Sequence, residues 1–188
     1  MNPYLHVFIS CAIISGLGSL FHFIYEWSNC LSVVGIIGAV NESVWEHLKI
    51  LLWPMFGWWM LAGPVRALPA AAAMYSASVL MVGVYAIMSE AAHYEQLWSD
   101  ISLFVACAFV GQALGELVYQ NYRSLEKYTV YAGTAVAALV SCMSVFSLAY
   151  TPTIVYLFQD REREFYGASV RVCDHSSDAV SGVNVSIS

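Results

Sequence analysis

Long apolar stretches set the first constraint on what this chain can become. Residues 4–25 are almost wholly apolar, with His6 and His22 as the ionisable interruptions. A helix needs about 20 such residues to cross the hydrocarbon core of a bilayer. Four more stretches follow, at residues 44–61, 68–89, 98–118 and 128–149. No water reaches the bilayer core, so a short apolar segment there must close its hydrogen bonds internally, as a helix does. The expectation is an all-α, polytopic integral membrane helix bundle with about five transmembrane helices, and the lipid bilayer as its first partner. Residues 31–40 are apolar but too short to span. Gly35 and Gly38 would let them bend, so they are expected as a short re-entrant or interfacial segment.

Composition points the same way. The chain is 60% hydrophobic and 11% charged, against about 45–50% and about 25% in soluble domains. Its mean hydropathy is +0.66. The net charge of −6 argues against nucleic-acid binding, which calls for a basic patch. Residues 1–150 are expected to form the transmembrane domain. The first stretch lacks a basic leader and an Ala-x-Ala site, so it is read as a retained anchor. Pro54 falls inside the second stretch, where neighbouring groups can satisfy the freed carbonyl, and a kink is expected just before it. Arg66, Arg123 and Lys127 would share one face with the N-terminus, which favours an N-in, C-out arrangement. Arg161, Arg163 and Arg171 in the tail run against it. Residues 151–188 are expected to dock in part and then to be disordered.

The cysteines divide by position. Cys11, Cys107 and Cys142 lie in apolar stretches and read as small buried side chains. Cys30 and Cys173 fall on one predicted face and could pair if that face is oxidising. No Cys-x-x-Cys occurs, which removes the usual thiolate zinc pattern.

The chemistry-bearing residues concentrate at Asn41-Glu42-Ser43-Val44-Trp45-Glu46-His47-Leu48-Lys49. Charged groups facing lipid are costly, so they usually turn toward protein or a water-filled cavity. His22 and Glu26 lie at i,i+4 and share a helix face. Glu42 and Glu46 do the same if their segment is helical. The expected site comprises His22, Glu26, Glu46 and His47 as ligands of a divalent metal (Zn, Fe or Mn), a donor set suited to such ions. Glu26, Glu46 and His47 double as acid/base groups, and Asn41, Glu42 and His93 support them. The plainer reading of the same residues is a helix start: Asn41 or Ser43 as N-cap, with Glu46 completing a capping box after Ser43. Glu90 and His93 form one Glu-x-x-His pair, where di-iron bundles use two. No His-Glu-x-x-His motif occurs. Glu116, with Gln112 one turn before it and Gly111 and Gly115 alongside, reads first as a helix-packing face and second as a proton carrier.

Two blocks of sequence resemble a family of small, uncharacterised multi-pass membrane proteins, mainly bacterial. They are Gly18-Ser19-Leu20-Phe21-His22-Phe23-Ile24-Tyr25-Glu26-Trp27-Ser28 and Val40-Asn41-Glu42-Ser43-Val44-Trp45-Glu46-His47-Leu48-Lys49. Weaker likenesses at Asp100-Ile101, Gly111-Gln112, Pro152 and Tyr166-Gly167 extend the resemblance over most of residues 15–167. It is a domain of unknown function, so the resemblance implies a shared unit and no activity. The functional expectation is a membrane protein with a polar, metal-binding site at the non-cytoplasmic boundary. A small proton-coupled transporter and a non-catalytic membrane subunit or assembly factor, in a homo-oligomer or larger complex, stay open as alternatives. Haem held by His22 and His93 ranks last.

Overall fold

The first helix, α1 (Pro3–Trp27), starts where its sequence says it should. Asn2 accepts a hydrogen bond from the Tyr4 N–H at 3.0 Å, and Pro3 occupies the first turn, where its missing N–H costs nothing. The helix ends in a compact turn. Ser28, Asn29 and Cys30 donate backbone N–H groups to the carbonyls of Ile24, Glu26 and Tyr25. Asn29 and Cys30 reach this geometry through positive φ angles of 52° and 57°, a region Asn tolerates better than most residues. This computed structural model describes residues 2–31, 33–61, 67–91, 97–121, 131–133, 135 and 138.

The connection to the next helix is neither a span nor an extended loop. A single 3-10 turn at Val34–Ile36 folds back over the ends of two helices. Ala39 N–H donates to the Phe21 carbonyl of α1 at 3.0 Å. Gly38 is needed there, because a Cβ would sit 2.9 Å from the Ile24 side chain and 3.2 Å from the Phe21 carbonyl. Lys49 Nζ donates to the Gly35 carbonyl at 2.8 Å, and Trp53 Nε1 donates to the Ile36 carbonyl at 3.2 Å. The short apolar segment thus becomes a cap stitched to the bundle by its own carbonyls.

Helix α2 (Val44–Leu61) starts as the plainer reading of its sequence expects. Ser43 Oγ accepts from the Glu46 N–H at 3.3 Å, and Asn41 Oδ1 accepts from the Ser43 N–H at 3.1 Å. The return arm of the capping box is diverted, since the Glu46 carboxylate accepts from the Val40 N–H instead, at 2.9 Å. The helix continues through Pro54. It packs against all three other helices, and Leu51, Met55 and Trp59 are fully buried in the core.

Helices α3 (Ala67–Ala91) and α4 (Leu97–Asn121) form the closest pair. Pro69, Ala73 and Ala77 of α3 face Gly111 and Gly115 of α4. A Cβ at Gly111 would lie 2.7 Å from the Ala73 carbonyl oxygen. Small residues let helices approach closely in a setting where packing drives their association. α1 packs on α2 and α4, and α3 packs on the same two, so the four helices close into an antiparallel bundle.

Large apolar side chains face outward along this bundle, among them Leu5, Phe8, Leu17 and Phe23 of α1, Val79 and Ile87 of α3, and Phe109 and Leu117 of α4. Charged residues meanwhile sit within it, the reverse of a soluble protein. Three helical segments, Pro3–Trp27, Ala67–Ile87 and Trp98–Asn121, are long and apolar enough to cross a membrane. The expected count of five is thus met only in part among the described residues. α2 falls short by apolarity, not by helicity: it carries Glu46 and Lys49, and it can do so because protein surrounds it. Of the fifth expected span, residues 131–133, 135 and 138 are helical, and a Cβ at Gly133 would collide with Ala67. The rest of that span and residues 151–188 lie outside the described residues. Cys11 and Cys107 are buried free thiols, and Cys30 is disulfide-bonded; Cys142 and Cys173 lie outside the described residues.

Candidate metal site

Two adjoining networks form where α1 ends and α2 begins. The first is built on Glu46 and Lys49, which are 1% and 0% exposed. Their side chains meet at 2.5 Å. Glu46 Oε2 also accepts from the Val40 N–H, and Lys49 also donates to the Gly35 carbonyl. A buried ion pair is tolerated when further hydrogen bonds satisfy its remaining atoms. Here the cap at residues 33–40 supplies them, so this pair fastens the cap to α2.

The second network holds the candidate ligands. His22, Glu42 and His47 each offer a ligand atom, and these atoms lie within 4.8 Å of one another. His22 Nε2 is 3.4 Å from Glu42 Oε1, and His47 Nε2 is 3.8 Å from Glu42 Oε2. The two imidazole rings lie 5.8 Å apart, centre to centre. All three residues are half-buried, so the group is reachable from outside the bundle.

The tautomer of His47 decides what this arrangement can do. Its Nδ1 is 3.0 Å from the Ser43 carbonyl. A carbonyl only accepts, so Nδ1 carries the hydrogen. In the neutral ring Nε2 is then a lone pair, and it faces a carboxylate. Two electron-rich atoms face each other there unless a cation, either a proton or a metal ion, lies between them. A ligating histidine commonly donates its other N–H to a backbone carbonyl in this way. Zinc takes nitrogen and oxygen ligands at about 2.0–2.2 Å, which sets neighbouring ligand atoms roughly 3.3 Å apart in a tetrahedron. The His22–Glu42 separation is already close to that, and His47 needs a small inward movement. Two histidines and one carboxylate also suit iron or manganese. His22 is held differently from His47. Its ring packs edge-on against Phe23 at 4.9 Å, and its Nδ1 is buried without a hydrogen-bond partner.

The expected ligands therefore separate. His22 and His47 come together, with Glu42 completing the group. Glu46 belongs to the neighbouring ion-pair network, and Glu26 is exposed at the end of α1. Asn41 is buried and turns the chain into α2. His93 and the side chain of Glu90 lie outside the described residues. Sequence reasoning placed Asp100 at this end of the bundle but passed over Tyr85. The Tyr85 ring lies 6.2 Å from the His47 ring, and its hydroxyl donates to Asp100 Oδ1 at 3.0 Å. The available signal was Tyr85 and Asp100 flanking one short connection, which puts both at the membrane face of His47.

A family of unknown function, DUF6512, matches residues 2–168. The chain belongs to that family. The match takes in His22, Glu42 and His47, the cap between them and all four helices of the bundle. Neither the curated proteins nor the solved structures include a significant match to the chain. This DUF6512 protein is thus a multi-pass membrane protein with a His–Glu–His group that could hold a metal ion.

Proposed function

We propose that this DUF6512 protein binds one divalent transition-metal ion through His22, Glu42 and His47, and uses the ion at the non-cytoplasmic membrane boundary. The observation that carries the reading is the contact of His47 Nδ1 with the Ser43 carbonyl, which leaves Nε2 facing Glu42. A metal held by three protein groups keeps a coordination position for water or substrate, as catalytic sites do. Bound there, the ion would act as a Lewis acid or lower the pKa of its water. Exposed Trp27 and Trp98 mark the same end of the bundle, as aromatic belts mark headgroup level. A lipid-like or small amphiphilic substrate fits that depth. The disulfide at Cys30 supports an oxidising face at this end.

The test is elemental mass spectrometry on the full chain, purified in mild detergent and then exposed separately to zinc, manganese and ferrous iron. The expected result is about one metal ion per chain, lost in His22→Ala, Glu42→Gln and His47→Ala. A folded protein that retains none of the three metals would overturn the reading and leave a proton between His47 and Glu42.

A further inference from the structure

The metal group leaves unexplained a second polar cluster at the opposite end of the bundle. His6 and His22 are sixteen positions apart on α1, about 24 Å at 1.5 Å per residue. His6 Nδ1 lies 2.9 Å from Glu116 Oε2, as an ion contact and not an aligned hydrogen bond. Both residues are buried. The rings of Trp58 and Trp59 stand 5.5 and 5.6 Å from the imidazole, tilted and edge-on to it. Among the described residues Lys49 is the one lysine or arginine, and it is bound to Glu46. Among the described residues His6, when protonated, is the neutralising group next to Glu116.

A second observation concerns hydrogen bonding. Gln112 sits one turn before Glu116 on α4 and is 0% exposed, yet neither its Nε2 nor its Oε1 has a partner. The indole N–H groups of Trp58 and Trp59 are likewise buried and unpartnered. Buried polar groups are normally paired, and internal water with two to four polar partners is the usual remedy. His6 meets Glu116 while Gly18 meets Phe104. That antiparallel register sets buried Ser10 level with Gln112. Gln120, one turn beyond Glu116, donates to its Oε1 at 3.1 Å and is exposed. Gln112, Glu116 and Gln120 thus form a polar stripe that runs from the interior to the end of the bundle.

We propose that His6 and Glu116 form a proton-binding site, hydrated by internal water that Gln112, Trp58 and Trp59 hold, and open to the side on which α1 begins. The proton resides on the His6–Glu116 pair and exchanges with water that reaches Glu116 past exposed Gln120, which donates to its Oε1. Among the described residues the other titratable groups near this level are Tyr119 on α4, exposed Tyr4 on α1 and, deeper on α1, Cys11. Among the described residues, α2 contributes the two indoles, and α3, which packs on α4, presents Pro69, Ala70 and Ala73 near this level. Arg66, Arg123 and Lys127 belong to connections outside the described residues. The site needs no metal and does not depend on the function proposed for the other end.

The experiment is a pH titration of the full chain in lipid nanodiscs. Histidine-labelled protein would be read by NMR, and the carboxyl and water bands by infrared difference spectroscopy. Between pH 5 and 9, His6 and the Glu116 carboxyl should change over one shared interval. In Glu116→Gln the His6 transition should move along the pH axis, since the group that shares its proton is gone. Gln112→Leu should remove the internal-water bands while the bundle stays folded. Glu42→Gln should leave the His6 transition in place, which separates this site from the metal group. A His6 signal that does not change over the range, or changes identically in Glu116→Gln, would overturn the proton site. Unaltered water bands in Gln112→Leu would overturn its hydration.

Discussion

The two ends of the α1–α2 pair place similar residues in opposite circumstances. Both hold a histidine from α1, a glutamate and tryptophan neighbours. Where α1 ends, irregular backbone lies among the side chains, so Lys49 finds the Gly35 carbonyl, Glu46 finds the Val40 N–H and His47 finds the Ser43 carbonyl. Where α1 begins, the neighbours come from helix interiors whose backbone groups are already spent on one another. Gln112 and two indoles are left without partners there. In a membrane protein, non-helical backbone at depth supplies the donors and acceptors that helices withhold. The cap therefore ties Glu46, Lys49 and His47 to backbone groups, while Gln112 and the two indoles at the other end have no such neighbours.

The largest expected break in that comparison is Lys49→Met. It strands the Glu46 carboxylate and should cost about 3–5 kcal/mol, read as a loss of folded protein in a thermal or denaturant titration in detergent. The double variant Glu46→Gln, Lys49→Met should recover much of the loss, because the uncompensated charge is gone. Next comes His47→Ala, which should lower metal affinity by more than about 100-fold, since even groups that only orient ligands are worth about 10–100-fold. Competition with a chelating dye measures it. Gly115→Leu forces a side chain against Trp59, Ala73 and the Pro69 carbonyl. It should destabilise the bundle by about 1–3 kcal/mol and leave metal stoichiometry unchanged. The smallest effect is Ser43→Ala. It removes the cap on Glu46 N–H at a cost of about 1 kcal/mol but keeps the backbone carbonyl that orients His47. Metal should therefore be retained, and a large loss of metal in Ser43→Ala would mean that the hydroxyl, not the carbonyl, positions the ring.

The legible part of the site was its neighbourhood. His22 and the Asn41–Lys49 block stand out because each places ionisable groups beside long apolar stretches, where they must face protein or water. The choice among carboxylates was not legible. Helical spacing puts Glu26 on the face of His22 and Glu46 on the face of Glu42, but it does not say which face meets a neighbour. Glu42 precedes α2, in a turn whose path depends on Ala39 bonding to Phe21 and on Gly38 packing against Ile24. That path brings Glu42 between two histidines. Lys49 was visible only as one charge of the Asn41–Lys49 block. The fold buries it, because α2 begins at Val44 and runs on through Lys49 into the core.

The sequence by itself determined the helices and their setting. Runs of apolar residues longer than a bilayer is thick, broken at Asn2–Pro3, at Ser28–Cys30 and at Asn41–Ser43, leave little else for the chain to do. It also determined that Glu46 would sit in the first turn of a helix, since the capping residues precede it. Only the tertiary structure decided that Glu46 answers to Lys49, that Glu42 joins His22 and His47, and that His6 meets Glu116 from the far end of α4. Those pairings turn on helix rotation and on antiparallel register. Both are set by small residues such as Gly18 and Gly111, which govern how closely helices approach, and that fit is a property of two surfaces together and not of either sequence segment alone.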